Sequence, residues 1–357
     1  MDKKLLIIAP YQFGELTDCY YWAKYATLAG WNVTYIGYRY HQRGIQERSF
    51  PRVRVVGVMH SKNRILHGLK FLGAILKELF FHNHNNVIVC RFPRCELIPL
   101  LFPKRNIVLD VRTLSVAPNE VARKKADDEL RHIMKSFKTT SVISKGVGDK
   151  LGGGRPILPL GAEPLSMIAK DFSYIRLFYI GTFNNRNLSQ FIEGLSLYQK
   201  KYGDNTVTFD VVGGGSFEEE KLINNTIAST GVAGVTLHGY LNHDEAHQFF
   251  DKCNVGVCYV PVTEYYQHQP PTKLYEYLLS GMAAISTNTV SNMEVMTELN
   301  GVVIKDTPES VCEGLERISI GMKNFSSKQI IEGAAKYHWS NIVNKNLLSL
   351  FSTTIQG

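Results

Sequence analysis

A chain of 357 residues, 44% apolar and 20% charged, is longer than one hydrophobic core usually organises and too ordinary in composition to be disordered. No apolar run approaches the length of a membrane span, and the six cysteines form no CxxC pair, so reduced core thiols are expected rather than zinc or disulfides. The net charge of +8 is uneven: residues 1–165 carry 26 Lys and Arg against 13 Asp and Glu, the remainder 14 against 19. A basic first half attracts an anionic partner, such as a membrane surface or a phosphorylated acceptor. No nucleic-acid motif is present, and nucleic acid is not expected as a partner.

Short β-branched runs alternate with longer amphipathic stretches. The first run, residues 5–8, is too short for a secretory signal and reads as a buried strand, so a cytoplasmic location is expected, with peripheral contact to the inner membrane face. Further strands are predicted in the first half at 33–36, 53–58, 87–90, 107–109 and 141–144. In the second half they fall at 176–180, 206–212, 235–237, 255–259, 284–287 and 302–304. Helical periodicity fills gaps such as 17–29, 124–136, 188–201, 244–250 and 273–280. This alternation predicts parallel sheets wrapped by helices, in two doubly wound domains whose strand ends face a shared cleft. The rhythm breaks at Gly152-Gly153-Gly154-Arg155-Pro156 and again at 159–164, which sets the expected domains at 1–165 and 166–335, with a last helix at 336–357.

In the first half, Gly14 ends the turn after strand one and lets backbone approach a ligand. Residues 61–82 combine Lys62, Arg64, Lys70 and Lys77 with Ile65, Leu66, Leu69, Leu72, Ile75, Leu76, Leu79 and Phe80, a pattern that fits a core-facing helix or one lying on anionic lipid. His82-Asn83-His84 invites a metal, but loop histidines ahead of a strand are usually only exposed. Arg91 and Arg94 follow a strand and are acceptor or phosphate candidates. Asp110 and Arg112 follow another and are expected to face the cleft, or else to form a structural ion pair. Glu120 is a weaker candidate for a sugar or acceptor contact.

The most informative stretch is 269–285: a loop, a helix led in by Pro270-Pro271, a stop at Gly281 and a buried strand. Lys273 and Glu276, three apart, share a helix face, as a solvated ion pair or as ligand groups. Free amides at Thr272 and Lys273 can bind phosphate, and a carboxylate one turn in can accept from a ribose diol.

Pro271-Thr272-Lys273-Leu274-Tyr275-Glu276-Tyr277, with Ser280-Gly281 and an apolar strand behind it, resembles the donor-site helix of glycosyltransferase family 4, a group of GT-B enzymes. Further pieces recur in the family's order over residues 170–350: Gly181 after an opening strand, Gly213-Gly214-Gly215 after the next, Tyr240-Leu241 where backbone faces the base, and Tyr337-His338-Trp339-Ser340 before a closing helix. The resemblance implies a GT-B α/β fold of two Rossmann-like domains, with the last helix crossing back to the N-terminal domain. It implies transfer of a sugar from a nucleoside-diphosphate sugar to a saccharide acceptor, lipid-linked and serving bacterial surface polysaccharide, with retention and without metal or other cofactor. Arg186 lies near the place of a basic residue that contacts the diphosphate. Arg186 and Lys273 would then stabilise the leaving group, Glu276 would hold the ribose, and Gly14, Gly181, Gly213, Gly214, Tyr240, Leu241 and Thr272 would line the nucleotide. Asp110 would be a base if the reaction inverted. The family's Glu-x7-Glu motif is broken: His268 stands where its first Glu is expected, and could contact sugar or phosphate. Tyr265 and Tyr266 could line the sugar pocket or be surface aromatics. The competing readings are a sugar-nucleotide epimerase of the same build and a decayed transferase that binds nucleotide without turnover. A dehydrogenase is disfavoured, since no Gly-x-Gly-x-x-Gly opens either half.

Overall fold

The computed structural model describes residues 3–40, 48–61, 63–115, 119–203, 206–264 and 266–352. The chain forms two compact units, residues 1–160 with 339–357, and residues 161–338. Unit 1 contains strands β1 (Lys4–Ile8), β2 (Asn32–Arg39), β3 (Val53–Met59), β4 (Asn86–Cys90), β5 (Asn106–Val111) and β6 (Thr139–Val142). Its helices are α1 (Thr17–Leu28), α2 (Arg64–Phe81), α3 (Leu97–Leu101), α4 (Glu120–Met134) and α5 (Lys145–Lys150). Unit 2 contains β7 (Arg176–Thr182), β8 (Thr208–Gly214), β9 (Val235–Gly239), β10 (Val255–Cys258), β11 (Ala283–Thr287) and β12 (Gly301–Ile304). Its helices are α6 (Leu188–Tyr202), α7 (Phe217–Thr230), α8 (His243–Lys252), α9 (Thr272–Leu279), α10 (Val290–Met293), α11 (Pro308–Gly321) and α12 (Ser327–Ala334). The chain then returns to unit 1 as α13 (Trp339–Ile342), a π-helical turn (Val343–Leu347) and α14 (Ser349–Ser352).

Each unit holds one parallel six-stranded sheet, ordered β3-β2-β1-β4-β5-β6 in unit 1 and β12-β11-β10-β7-β8-β9 in unit 2. Strands covered on both faces must be apolar throughout. That is why Leu5, Leu6, Ile7 and Ile8 form an unbroken run, all fully enclosed. In each sheet the first strand lies inside, and the winding direction reverses beside it: between β1 and β4, and between β7 and β10. Loops leaving the carboxyl ends of those two strands part there, and ligands of doubly wound sheets bind at such switch points.

All twelve strand positions expected from the sequence are occupied. Two shifted by two residues: β8 runs Thr208–Gly214 rather than 206–212, and β6 ends at Val142, because Ser144 instead caps α5, its hydroxyl accepting from the Val147 amide. The first unit boundary falls at 160/161 rather than 165/166. Ala162 bridges to His338, and the Leu165 amide donates to Ser280 Oγ at 2.8 Å, so this stretch belongs to unit 2. In unit 1 the returning segment is anchored by buried Trp339, stacked on Tyr21 of α1 with centroids 5.5 Å apart, and by Phe351 against Trp31. Among the described residues no helix is long and apolar enough to cross a membrane.

Candidate active site

In unit 2, β7 and β8 run in register with Gly181 opposite Gly213. Gly213 has φ +133°, and a Cβ there would lie 1.8 Å from the Gly181 carbonyl oxygen. Only glycine fits, so the carboxyl end of this strand pair is bare backbone. The Phe183 amide then donates to the Gly214 carbonyl at 2.9 Å, and the chain turns sharply through Asn185 and Asn187, both left-handed at φ 56° and 52°. Asparagine tolerates that region better than other side chains. Arg186 sits between them, half-buried. Its Nη1 donates to the Tyr266 hydroxyl at 2.7 Å, and its guanidinium lies 4.9 Å from the centre of that ring. Arg186 follows β7 and Tyr266 follows β10, so this contact spans the switch point.

The loop from β10 to α9 is fastened along its length. The Val260 amide donates to Thr287 Oγ1, the Val262 amide to Asp306 Oδ2, and Gln267 accepts from the amides of Val290 and Ser291. His268 is half-buried in this loop, while Tyr265 lies outside the described residues. α9 starts after Pro271 without a side-chain cap, leaving the Thr272 and Lys273 amides beyond intrahelical acceptors. Tyr277 fixes the helix against both switch-point strands. Its hydroxyl accepts from the Ile180 amide at 3.2 Å, and its ring fills the space beside Gly256, where a Cβ would come within 2.2 Å. The outward face carries Lys273, whose Nζ donates to Glu276 Oε2 at 2.7 Å; the two side chains keep 36% and 13% of their exposure. Leu241 packs against the Phe178 cluster, whereas Tyr240 just after β9 is 88% exposed.

In unit 1, Gly14 follows β1 with φ +93°, and a Cβ would meet Arg48 at 2.7 Å. Arg91 follows β4, across that sheet's switch point from Gly14; it is exposed and 3.5 Å from Glu129. Arg94 is exposed and left-handed, and Glu120 is exposed at the start of α4.

Of the two readings of Asp110 and Arg112, facing the cleft or forming a structural ion pair, unit 1 shows the ion pair. The Asp110 side chain is wholly enclosed, accepts from Ser141 Oγ at 2.6 Å and lies 3.7 Å from Arg112. Burial pushes its carboxyl up to about 6, against the pull of Arg112 and Ser141. Arg112 donates to Asp18 and to the Leu158 carbonyl, and its guanidinium lies over Trp22. This is an internal ion cluster, and Asp110 offers no open carboxylate to act as a base. Asp18 went unnoticed in the sequence because 94 residues separate it from Arg112 and no spacing rule joins them. Tyr266 was visible only as one of two adjacent aromatics. His82-Asn83-His84 is likewise accounted for within the fold, as His84 Nε2 lies 2.6 Å from Glu78, which Arg54 also binds.

Residues 175–319 match the family model of the glycosyl transferases group 1. This stretch, most of unit 2, is a glycosyl transferases group 1 domain. The match begins at β7 and ends in α11, and so contains Arg186, the fastened loop and α9. Solved structures extend the likeness to the whole chain at the level of fold, which is GT-B. Sucrose-phosphate synthase from Thermosynechococcus elongatus superposes with a TM-score of 0.72 at 15% identity, covering 99% of this chain and 100% of that one. Anabaena HepE, solved in complex with UDP and glucose, gives 0.70 at 12% identity over 98% and 100%. The lipopolysaccharide outer core galactosyltransferase WaaB gives 0.67 at 14% identity over 97% and 99%. No curated protein matches the sequence significantly.

For a glycosyltransferase the chemical difficulty is the charge that develops on the departing group. At the unit 2 switch point the enzyme has a half-buried guanidinium, an ammonium and uncapped helix amides on fixed elements. Each of these groups can donate a hydrogen bond to an anion.

Proposed function

We propose that the enzyme moves a sugar from a nucleoside diphosphate sugar to a saccharide hydroxyl, with the nucleotide held by unit 2 at the carboxyl ends of β7 and β10. The observation that carries this reading is the pairing of Arg186 with Tyr266 across the switch point, on the same sheet edge as the start of α9. Arg186, Lys273 and the Thr272 amide neutralise the leaving diphosphate. Glu276 accepts from the ribose diol once nucleotide displaces it from Lys273. Gly181, Gly213 and Gly214 let the diphosphate approach backbone. Leu241 and Tyr240 border the base, and His268 contacts the sugar in place of the missing carboxylate. The UDP complex of HepE supports a nucleotide as ligand of this fold.

The finer reading is a family 4 enzyme, retaining and metal-independent. With retention the acceptor attacks on the face the leaving group vacates, and no dedicated protein base is needed, consistent with the enclosure of Asp110. Unit 1, with its basic surplus and exposed Arg91, binds the acceptor. We assign that acceptor to a lipid-linked saccharide of bacterial surface polysaccharide, reached by peripheral association with the membrane; the likeness to WaaB supports this choice. A second reading, nucleotide binding without turnover, is favoured by His268 at the carboxylate position.

Thermal-shift screening against UDP, GDP, dTDP and CMP derivatives tests the donor site. One nucleoside diphosphate is expected to raise the melting temperature, and indifference to all of them would remove the reading. Turnover with the matching sugar nucleotide and a lipid-linked acceptor is expected to survive a chelator. Binding without turnover on any acceptor would favour the second reading.

A further inference from the structure

Helix α2 has two apolar faces. Phe71, Ile75 and Leu79 enter the core of unit 1, as any amphipathic helix requires. A second row, Ile65, Leu69, Leu72, Leu76 and Phe80, follows the same helical spacing and points elsewhere. Ile65 is 76% exposed, Leu69 63% and Phe80 67%, with Leu72 and Leu76 half-buried between them. In water this face should be polar; here it is apolar along a helix of 18 residues, about 27 Å long. The same surface continues past the helix end: Phe80 meets Phe102 at 4.9 Å, and Leu100 beside it is 62% exposed. A contiguous exposed apolar strip of this length marks an interaction site.

The charges select the partner. Lys70 and Lys77 are exposed along one edge of the row. The one acid of the helix, Glu78, is buried and committed to Arg54 and His84. The outer surface therefore presents apolar side chains and cations with no carboxylate of its own. A second copy laid face to face would bring lysine rows together, whereas a bilayer with anionic headgroups supplies opposite charge and a place for the apolar row.

We propose that α2 lies in the surface of an anionic bilayer, with Ile65, Leu69 and Phe80 entering the acyl boundary and Lys70 and Lys77 at the headgroups. This deepens the membrane part of the proposed function and rests on it for its purpose, delivery of a lipid-borne acceptor. Vesicle binding itself is independent of the donor site.

The test is co-sedimentation of the full chain with vesicles of phosphatidylglycerol mixed with phosphatidylcholine, and with phosphatidylcholine alone. The wild type is expected to partition at least ~10-fold more into anionic vesicles, and to be released as salt rises. Ile65→Glu combined with Leu69→Glu is expected to lower that binding at least ~10-fold, with circular dichroism melting unchanged because both positions are exposed. Leu69→Trp reads the position directly: its emission, taken as the difference from wild type, is expected to shift to the blue on anionic vesicles alone. The proposal is overturned if the wild type ignores anionic vesicles, or if the double variant binds them as well as wild type does. It is also overturned if the wild type sediments as a dimer that the double variant dissolves, since α2 then covers a second copy. Nucleotide affinity, measured on the same samples, tests the donor reading separately.

Discussion

The carboxyl ends of the two sheets use charge in opposite ways. In unit 2, the side chains beyond β7 and β10 are held but not sealed: Arg186 leans on a tyrosine ring, and Lys273 and Glu276 retain part of their exposure. In unit 1, the charges at the carboxyl end of β5 are sealed: Asp110, Arg112 and Asp18 pair below the surface with Ser141 and Leu158, and Asp110 Oδ2 and Arg112 Nε find no hydrogen-bond partner there. A charge that is to meet a ligand has to keep some contact with solvent until the ligand arrives. A charge that ties elements together gains strength from losing it. Charged residues at equivalent edges of two similar sheets therefore carry different duties, and burial separates them.

Mutations should divide along that line. The largest effect is expected from Arg112→Ala, which strands two acids in the interior of unit 1. It should cost about 3–5 kcal/mol in urea unfolding, and a loss under about 1 kcal/mol would mean the cluster is not structural. Lys273→Ala and Arg186→Ala should each slow turnover ~10²–10³-fold, as removal of an anion-stabilising donor does, while melting changes little. If melting falls instead, these side chains belong with Arg112. Glu276→Ala should weaken nucleotide binding ~10–100-fold by titration calorimetry, the value of charge-assisted bonds to a diol. Unchanged affinity removes the ribose assignment.

Asp110 gives the comparison a pH signature. Its carboxyl titrates near 6 when folded and near 3.8 when unfolded, so between those values the folded chain binds the extra proton. Its contribution to stability therefore falls as pH rises from about 4 to about 6, by ~2–3 kcal/mol. Asp110→Asn should remove that slope in denaturation curves, and an identical slope in the variant would assign it to another group. The smallest effect is expected from Tyr266→Phe, which keeps the ring under Arg186 and removes the hydroxyl. A few-fold rise in KM for the donor at constant melting temperature, worth ~1 kcal/mol, would identify Tyr266 as a positioning residue. No change would leave the ring alone in that role.

Much of the fold was legible before any coordinates. Apolar runs such as Leu5–Ile8 and 255–258 read as strands because a sheet covered on both faces tolerates nothing else. The stop at Gly281 and the start at Pro271 bounded α9 because backbone geometry is local. Lys273 and Glu276 were expected on one face, and their 2.7 Å contact follows from helix spacing alone. The Asp110–Arg112 pair was ambiguous for a physical reason: two residues apart on a strand end, they carry the same composition whether sealed or open.

Local spacing thus determined the elements, the alternation that makes two parallel sheets, the bare glycines at Gly213 and Gly281, and the order of motifs in the stretch that matches the glycosyl transferases group 1. Tertiary structure alone decided that Asp18 pairs with Arg112 and that Arg186 rests on Tyr266. It also decided that α2 keeps one apolar row in the core and another in solvent. The reason is that periodicity specifies which residues share a face, whereas exposure depends on which distant segment packs over that face.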